Sequence, residues 1–419
     1  MDTLKFSRTV SSKLQNKINK SIIFNYLREN SPISRAKMSK NLRISAPAVS
    51  RVIEKLIMEG YVIETKKIKT KSGKRPTLLK INKDKGYVIG IDLGKEKIKV
   101  ALTNLNSEII EKHQGFKILD NRDIAIKIKS EIKKVLNKYN QKKIKIKKVK
   151  AICIGVPAVV DIDTGKIISA PLYESWKDLN LKQILSNEFN IPIYIENDVN
   201  LSALGEKKYG EAKRFKNIIF VEISNGIGAG IIINNQLIRG SNGSAGEIGF
   251  IIIDSENLGF KIKNKGFLEE FASVEGIKKK AIREIKEGRK TTISNIVKNN
   301  IEKIGPSIVC EEAIKGDELA NNIITEMVKF LSIGIINLIL ILNPQIIVLG
   351  GDICNLPEVN KLFMKPIVER IKSSIPFKTP QIKLSSLGED AGIIGASYLA
   401  VESIITAKFP YKIKQEVLT

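Results

Sequence analysis

From Tyr87 onward, the sequence alternates short runs of β-branched residues with longer stretches that repeat apolar residues at helical spacing. The first run, "YVIGIDLGKEKIKVALTNLNSEII", predicts two or three strands joined by tight turns, with Asp92 ending the first. Further strands are predicted at "VKAICIGVPAVVD", "IPIYIEND", "NIIFVEIS", "GAGIIINN" and "PQIIVLGG". Helices are predicted near residues 122–140, 200–209, 270–287, 317–342 and 390–405. This alternation predicts an α/β fold with parallel or mixed sheets covered by helices, in two lobes that meet near "IENDVN".

The composition excludes several classes of protein. The chain has 419 residues, which suits two or three domains with cores of their own. Its cysteines (Cys153, Cys310 and Cys354) are scattered and its single histidine is His113, which excludes a disulfide framework and a zinc site built from these side chains. The N-terminus has no apolar signal core, and the run "IGIINLILIL" is too short to cross a bilayer. We therefore expect a cytoplasmic protein that contains a buried apolar helix and has no membrane partner.

Basic side chains are concentrated at the front of the chain. The formal net charge is +26, and residues 1–85 hold 21 basic against six acidic side chains. A lysine-rich composition explains part of the excess but not its concentration in the first fifth. The asymmetry predicts that this segment binds a polyanion.

The first 85 residues contain three helical periods separated by turn signals. The first stops at "NSP", Ser34 opens a short second helix, and Ser45 is the expected N-cap of a third, with Pro47 in its first turn. Small residues at the start of the third helix are typical of a recognition helix that enters the major groove of DNA. The following "YVIETKKIKTKSGKRPTLLKI" predicts two strands joined by a basic tip, as in the wing of a winged helix.

This pattern predicts a winged helix-turn-helix whose basic and small residues contact DNA. The predicted contacts are Arg35, Ser45, Ala46, Ala48, Ser50, Arg51, Lys71, Lys74 and Arg75. The alternative is a three-helix protein-interaction module with a basic hairpin.

Several motifs resemble one known family over nearly the whole chain. After "SGKRPTLLKIN" come "GYVIGIDLG", "GVPAVVD", "IENDVNLSALGE", "NGIGAGIIINNQLIRGSNGSAGEIG" and "IIVLGGDI". Together they resemble the ROK family (repressors, open reading frames and sugar kinases) and, within it, the repressors of xylose operons. The resemblance implies an actin-like fold of two lobes with a sugar in the cleft. The implied domains are a winged helix-turn-helix at 1–85, a first lobe at 86–196 that includes a C-terminal helix at about 390–408, and a second lobe at 197–389.

The resemblance also implies a set of sugar-binding residues. They are Ala158, Asn197, Asp198, Glu247 and Glu269. In the family's kinases the position of Asp198 supplies the base that activates the sugar hydroxyl. The alternative for Asp198 is the N-cap of the following helix, and both roles are compatible.

The phosphate side departs from the kinase pattern. Kinases of the family read close to "DLGGTK" in the first turn, whereas Lys95 and Glu96 stand here, after the turn residues Asp92 and Gly94. The second turn reads "SNGIGAG" and keeps Gly226 and Gly228, which also suit a tight turn without phosphate. Because Glu96 would repel a triphosphate, we expect vestigial phosphate turns and no kinase activity.

The family's zinc site is missing from the sequence. Phe250 stands where the family usually has a histidine, and "SENLGFKIKNKGF" replaces its cysteine-rich loop. We expect Phe250 to pack against apolar neighbours, and no cofactor.

The expected function is that of a sugar-responsive repressor. A homodimer or homotetramer would bind a palindromic operator, and a small sugar in the cleft, with xylose the first candidate, would release it. The alternatives are a sugar kinase with a fused DNA-binding head and a constitutive repressor with a decayed pocket.

Overall fold

The structure is a computed structural model. It describes residues 12–65, 76–94, 97–118, 120, 122–140, 148–253, 266–298 and 300–406.

The N-terminal head (residues 12–65 and 76–85) combines three helices with a small antiparallel sheet. The helices are α1 (Ser12–Asn30), α2 (Arg35–Leu42) and α3 (Ala46–Met58). The strands are β1 (Ile33–Ser34), β2 (Val62–Glu64) and β3 (Leu78–Ile81), in the order β1-β3-β2. The apolar face predicted for α3 is buried against α1, at Val49, Val52, Ile53 and Leu56. The winged-helix prediction is thus confirmed for the part of the head that the structure describes.

The first large sheet follows directly after the head. Its strands are β4 (Tyr87–Asp92), β5 (Lys97–Asn104), β6 (Ile109–Lys117), β7 (Val149–Val156) and β10 (Ile193–Asn197), in the order β10-β7-β4-β5-β6. Helices α4 (Ile124–Asn140) and α5 (Leu181–Ser186) pack on one face of this sheet. Strands β8 (Val159–Asp161) and β9 (Lys166–Ser169) pair with each other in a separate two-stranded sheet. β4 pairs parallel with β7 and antiparallel with β5, so the sheet is mixed as predicted.

The second large sheet has the order β13-β12-β11-β14-β15. Its strands are β11 (Ile218–Ile223), β12 (Ile227–Ile233), β13 (Gln236–Ile238), β14 (Ile346–Gly350) and β15 (Gln381–Leu384). The helices of this part are α7 (Phe267–Ala272), α8 (Val274–Lys286), α9 (Thr292–Ile296), α10 (Pro306–Lys315), α11 (Glu318–Leu342) and α12 (Lys365–Ser374). One apolar core joins this sheet to these helices.

Two helices lie between the large sheets. They are α6 (Asp198–Tyr209), which packs on β11 and β12, and α13 (Ala391–Thr406), which packs on β4 and β7. Their backbones touch, because a Cβ atom placed on Gly395 would lie 1.8 Å from the Leu201 carbonyl oxygen. This pair connects the two sheets and positions the cleft between them.

Helix α11 contains the apolar run noted in the sequence. At 25 residues it is longer than that run, and among the described residues it is the helix whose length and hydropathy would allow a membrane span. It packs against α7, α8, α10 and α12, and 56% of its most apolar stretch is buried in the protein. This burial agrees with the predicted core helix.

Candidate functional site

The recognition helix α3 presents its predicted contacts on the face opposite its apolar side. Ser45, Ala46 and Arg51 are exposed, and Ala48 and Ser50 are half-buried. Ser45 occupies the N-cap position, but its side chain makes no capping hydrogen bond, so the expected cap is wrong in this respect. Its hydroxyl instead lines a groove beside the helix.

This groove lies between α1 and the start of α3. It has a volume of about 460 Å³ and is lined by Gln15, Asn16, Asn19, Arg43, Ile44, Ser45, Ala48 and Arg51. These lining side chains include two arginines and no carboxylate, which suits a phosphate backbone. Sequence reasoning missed Gln15, Asn16, Asn19 and Arg43. The sequence feature that could have indicated the first three is the row of amide side chains on the polar face of α1.

The remaining predicted DNA contacts lie outside α3. Arg35, at the start of α2, forms an ion pair with Glu64 of β2, with 3.0 Å between Nη2 and Oε1. Both side chains are partly exposed, so the pair can exchange for a phosphate partner. Lys71, Lys74 and Arg75 lie outside the described residues.

The first predicted phosphate turn meets the start of α6. The Gly94 amide donates to Asp92 Oδ1 at 2.8 Å. A Cβ atom on Gly94 would lie 2.1 Å from Asp198 Oδ2, so only glycine allows this approach. Lys95 and Glu96 lie outside the described residues.

Asn197, rather than Asp198, is the N-cap of α6. Asn197 Oδ1 accepts a hydrogen bond from the Asn200 amide at 3.0 Å, while its Nδ2 donates to the Ala158 carbonyl at 3.3 Å. Asp198 is the first residue of the helix, and its Oδ1 accepts from its neighbour Val199 at 2.9 Å. The alternative role considered for Asp198 therefore belongs to the residue before it.

The Asp198 carboxyl lines a small cavity between the sheets. The cavity measures about 10 Å³, which leaves room for about one water molecule. It is lined by Asp92, Gly94, Asp198, Ser202, Glu222, Gly388, Glu389 and Gly392. Burial raises the pKa of the Asp198 carboxyl well above its usual range, and the neighbouring carboxylates of Asp92 and Glu222 add to that shift.

The second glycine turn is held by hydrogen bonds within the protein. The Ser224 hydroxyl donates to Glu222 Oε1 at 3.1 Å and accepts from the Asp352 amide at 3.0 Å. Gly226 lies against Glu269, where an added Cβ would be 2.8 Å from Oε2. Gly228 packs against the side chain of Val199. The turn thus has structural reasons for its glycines.

Two further predicted sugar ligands, Glu247 and Glu269, are close to each other. Glu269 is buried, and its Oε2 accepts from the Ile227 amide at 3.1 Å. Burial, followed by the charge of Glu269, raises the pKa of the Glu247 carboxyl. The charge of Glu247 in turn contributes to the raised pKa of Asp198. The fold therefore brings Asp198, Glu247 and Glu269 together, with Ala158 and Asn197 joined at the edge.

Phe250 does not pack as predicted. Its side chain is 48% exposed, at the end of a 3₁₀ turn (Ile248–Phe250). The reason is steric, because Gly266 lies directly behind this turn, where a Cβ would be 2.0 Å from the Gly249 carbonyl oxygen. The start of α7 packs against this turn, and the Phe250 side chain remains about half exposed. Among the described residues, no three His, Cys, Asp or Glu side chains are grouped as a metal site requires.

Sequence reasoning missed a buried ion pair that joins the two sheets beside this site. Arg239 follows β13, and Glu196 lies at the end of β10. The Arg239 Nε donates to Glu196 Oε2 at 2.7 Å, and Arg239 Nη2 lies 2.7 Å from the same oxygen. The other Glu196 oxygen accepts from the Asn197 amide and from Asn200 Nδ2, both at 3.1 Å. The sequence feature that could have indicated this pair is the Glu196 carboxylate, which stands in a strand-like run directly before the predicted ligands Asn197 and Asp198.

Comparisons with known proteins cover both parts of the chain. The sequence model of the ROK family matches residues 88–403, and that of a winged helix-turn-helix DNA-binding domain matches residues 15–63. A protein named xylose repressor from Caldicellulosiruptor bescii is 32% identical over 94% of this chain and 98% of its own. The protein of the same name from Bacillus subtilis is 30% identical over 93% of this chain and 96% of its own.

Solved structures show the same fold. A ROK-family transcriptional regulator, described as a homologue of the Escherichia coli Mlc protein, has a TM-score of 0.79 at 24% identity and covers 94% of this chain and 97% of its own. A ROK-family glucokinase from Streptomyces griseus, solved with glucose and an ATP analogue, has a TM-score of 0.65 at 23% identity and covers 75% of this chain and 99% of its own. The regulator structure extends over the head as well, whereas the kinase covers a smaller share of the chain.

Proposed function

Since the chain belongs to the ROK family and carries a winged helix at its front, we propose that it is a sugar-responsive transcriptional repressor. It binds a palindromic operator as a homodimer or homotetramer in the cytoplasm, and a small sugar in the cleft releases it. The observation that supports this most is the contrast between the two sites. The DNA-facing groove of the head is open and has no carboxylate among its lining residues, whereas the small cavity on the phosphate side of the cleft is lined by acidic groups.

The proposed sugar site is the group formed by Ala158, Asn197, Asp198, Glu247 and Glu269. Carboxylates and amides that converge in a cleft between lobes are suited to hydrogen-bond sugar hydroxyl groups. Xylose is the first candidate, because the two repressors compared above are named for it and match 93–94% of this chain. The site works without zinc, since Phe250 replaces the family's histidine and is about half exposed.

A sugar kinase with a fused head is the second candidate, since the kinase-like fold is present. It is disfavoured because Lys95 and Glu96 stand where the family's kinases have glycine and threonine in the first phosphate turn, and the Glu96 carboxylate would repel a triphosphate.

The test begins with thermal unfolding of the full chain against a panel of mono- and disaccharides that includes D-xylose. An operator is selected by the wild-type protein from a random-sequence DNA library, and its release by each sugar is followed by fluorescence anisotropy. We expect at least one sugar to raise the melting temperature and to weaken operator binding. ATP-dependent phosphorylation of that sugar is measured in parallel, with D198N as the control.

Each alternative has its own signature. Robust sugar phosphorylation that is lost in D198N would establish the kinase and overturn the pure-repressor proposal. Operator binding that no sugar releases, with no thermal shift, would establish a constitutive repressor with a decayed pocket. Failure to select any DNA sequence would leave the head as a protein-interaction module.

A further inference from the structure

Helix α6 extends from the cleft to the head. Its first residue, Asp198, lines the acidic cavity, and its last residue, Tyr209, contacts α1 of the head. Twelve residues of α-helix span about 18 Å. One rigid element therefore has one end at the proposed sugar site and the other at the DNA-binding head.

This helix is closely packed along most of its length. All its residues from Leu201 to Lys207 are buried, and Gly395 of α13 touches its backbone. Close-packed interiors transmit displacement rather than absorb it. A shift at the Asp198 end is therefore transmitted to the Tyr209 end and to α13.

The far end of α6 meets the head through two polar contacts, and Arg28 makes a third to Ser107, which lies between β5 and β6. Arg28 of α1 donates from Nη2 to the Tyr209 hydroxyl at 2.6 Å and to the Ser107 hydroxyl at 2.7 Å. Lys208 forms an ion pair with Glu29 of α1, with 2.9 Å between Nζ and Oε1. We call this set of contacts, made by Arg28, Glu29, Lys208 and Tyr209 together with Tyr398 of α13, the head contact.

Tyr398 supplies the aromatic part of the head contact. Its buried ring lies 4.7 Å from the Arg28 guanidinium carbon and 5.0 Å from Lys208 Nζ, so two cations from different elements share one ring. Arg28 also has two buried nitrogens, Nε and Nη1, for which the described part of the chain provides no hydrogen-bond acceptor. Such an interface is specific but incompletely satisfied, which favours a contact that can rearrange over a permanent one.

We propose that α6 and the head contact carry the state of the cleft to the DNA-binding head. Arg28 and Lys208 are positioning residues, since they touch neither the proposed sugar site nor the DNA-facing groove. This inference rests on the proposed function, because it supplies the physical link between its two sites. A ligand that binds at the start of α6 changes the operator affinity by shifting the far end of the same helix.

The first experiment compares wild type with R28M and K208M. Operator affinity is measured with and without the sugar that gives the largest thermal shift, starting from D-xylose, and the thermal shift itself reports sugar binding. We expect both variants to keep the thermal shift and to bind the operator without sugar. The ratio of the two operator affinities falls toward unity, from a wild-type value in the usual allosteric range of about 5–150-fold.

K83M is the matched control. Lys83 follows β3 and forms a surface ion pair with Glu108, 2.9 Å apart, and neither residue belongs to α6, to α13 or to the head contact. We expect it to keep the full sugar response. A full response in R28M and K208M as well would overturn the inference.

A second experiment needs no sugar. Linkage is reciprocal, so if the cleft acts on the head, operator binding must act on α6. Hydrogen exchange of the α6 backbone amides is measured with and without the selected operator duplex. We expect a change in wild type that is absent in R28M. Unchanged exchange in wild type would overturn the inference, even when sugar release supports the proposed function. If no sugar releases the wild type, the proposed function fails while this experiment still decides the inference.

Discussion

Removing Arg239 should strongly destabilise the protein, because it leaves a buried carboxylate without its cation. Glu196 is 3% exposed and pairs with Arg239, which is 17% exposed. Loss of one partner of a buried pair costs about 3–5 kcal/mol. The other Glu196 oxygen keeps the Asn197 and Asn200 donors, so we expect the lower end, about 3 kcal/mol, for R239M.

The reverse change should cost less. In E196Q the amide oxygen can still accept from Asn197 and Asn200, and Arg239 is nearer to solvent. The loss is then that of a hydrogen bond to a charged group, about 1.5 kcal/mol. Adding E196Q to R239M should recover part of the stability lost in R239M, because no buried charge remains unpaired.

Thermal unfolding of the full chain is the assay. At about 2 °C per kcal/mol, R239M should melt roughly 6 °C below wild type. The control is K383M, which breaks the exposed pair of Lys383 with Glu211 and should cost less than about 1 kcal/mol. If R239M melted together with K383M, the reasoning on burial would be refuted.

Three further predictions concern the other sites. The double variant N16A/N19A removes no charge, so it should weaken operator binding without changing its salt dependence. R43Q removes one cation, so in anisotropy titrations it should lower the slope of log affinity against log salt by about one. Unchanged affinity in both variants would remove the groove from the DNA interface. G395A should lower the free energy of unfolding in urea by about 1–3 kcal/mol, because its methyl group meets the carbonyl of the facing helix, and wild-type stability would contradict that contact. Because the folded-state pKa of Asp198 is raised, wild type should lose stability as the pH rises from about 3.9 through that pKa, whereas D198N should not. Melting temperatures of wild type and D198N that change in parallel from acid to neutral pH would contradict this.

Much of the fold could be predicted because its elements have strong periods. The predicted helices at 317–342 and 390–405 correspond to α11 and α13, and the head follows the predicted order of three helices and two strands. The helices α10 (Pro306–Lys315) and α12 (Lys365–Ser374) were not predicted. Both are short and pack on the apolar core of the second large sheet, and the prolines near their starts and Gly316 after α10 are end signals that sequence reasoning missed.

The site was predictable to the extent that it depends on single residues in motifs. The structure places Asp198, Glu247 and Glu269 near one another, and their role as sugar ligands stays a prediction, while Asn197 provides the cap that was considered for Asp198. The exposure of Phe250 was not predictable, because it depends on Gly266 from another segment packing against the turn. The Arg239 pair was missed for the same reason, since its two members meet only in the folded chain.

The packing of α13 has a consequence for how the protein is made. This helix covers β4 and β7, yet it follows them in the chain by more than two hundred residues. During synthesis the head can therefore fold early, while the first large sheet waits for residues near 400 to leave the ribosome. Tyr398 arrives with that helix, so an unfinished or truncated chain would carry a DNA-binding head whose contact with the cleft lacks its aromatic part. Proteolysis within α13 would have the same effect on a finished molecule.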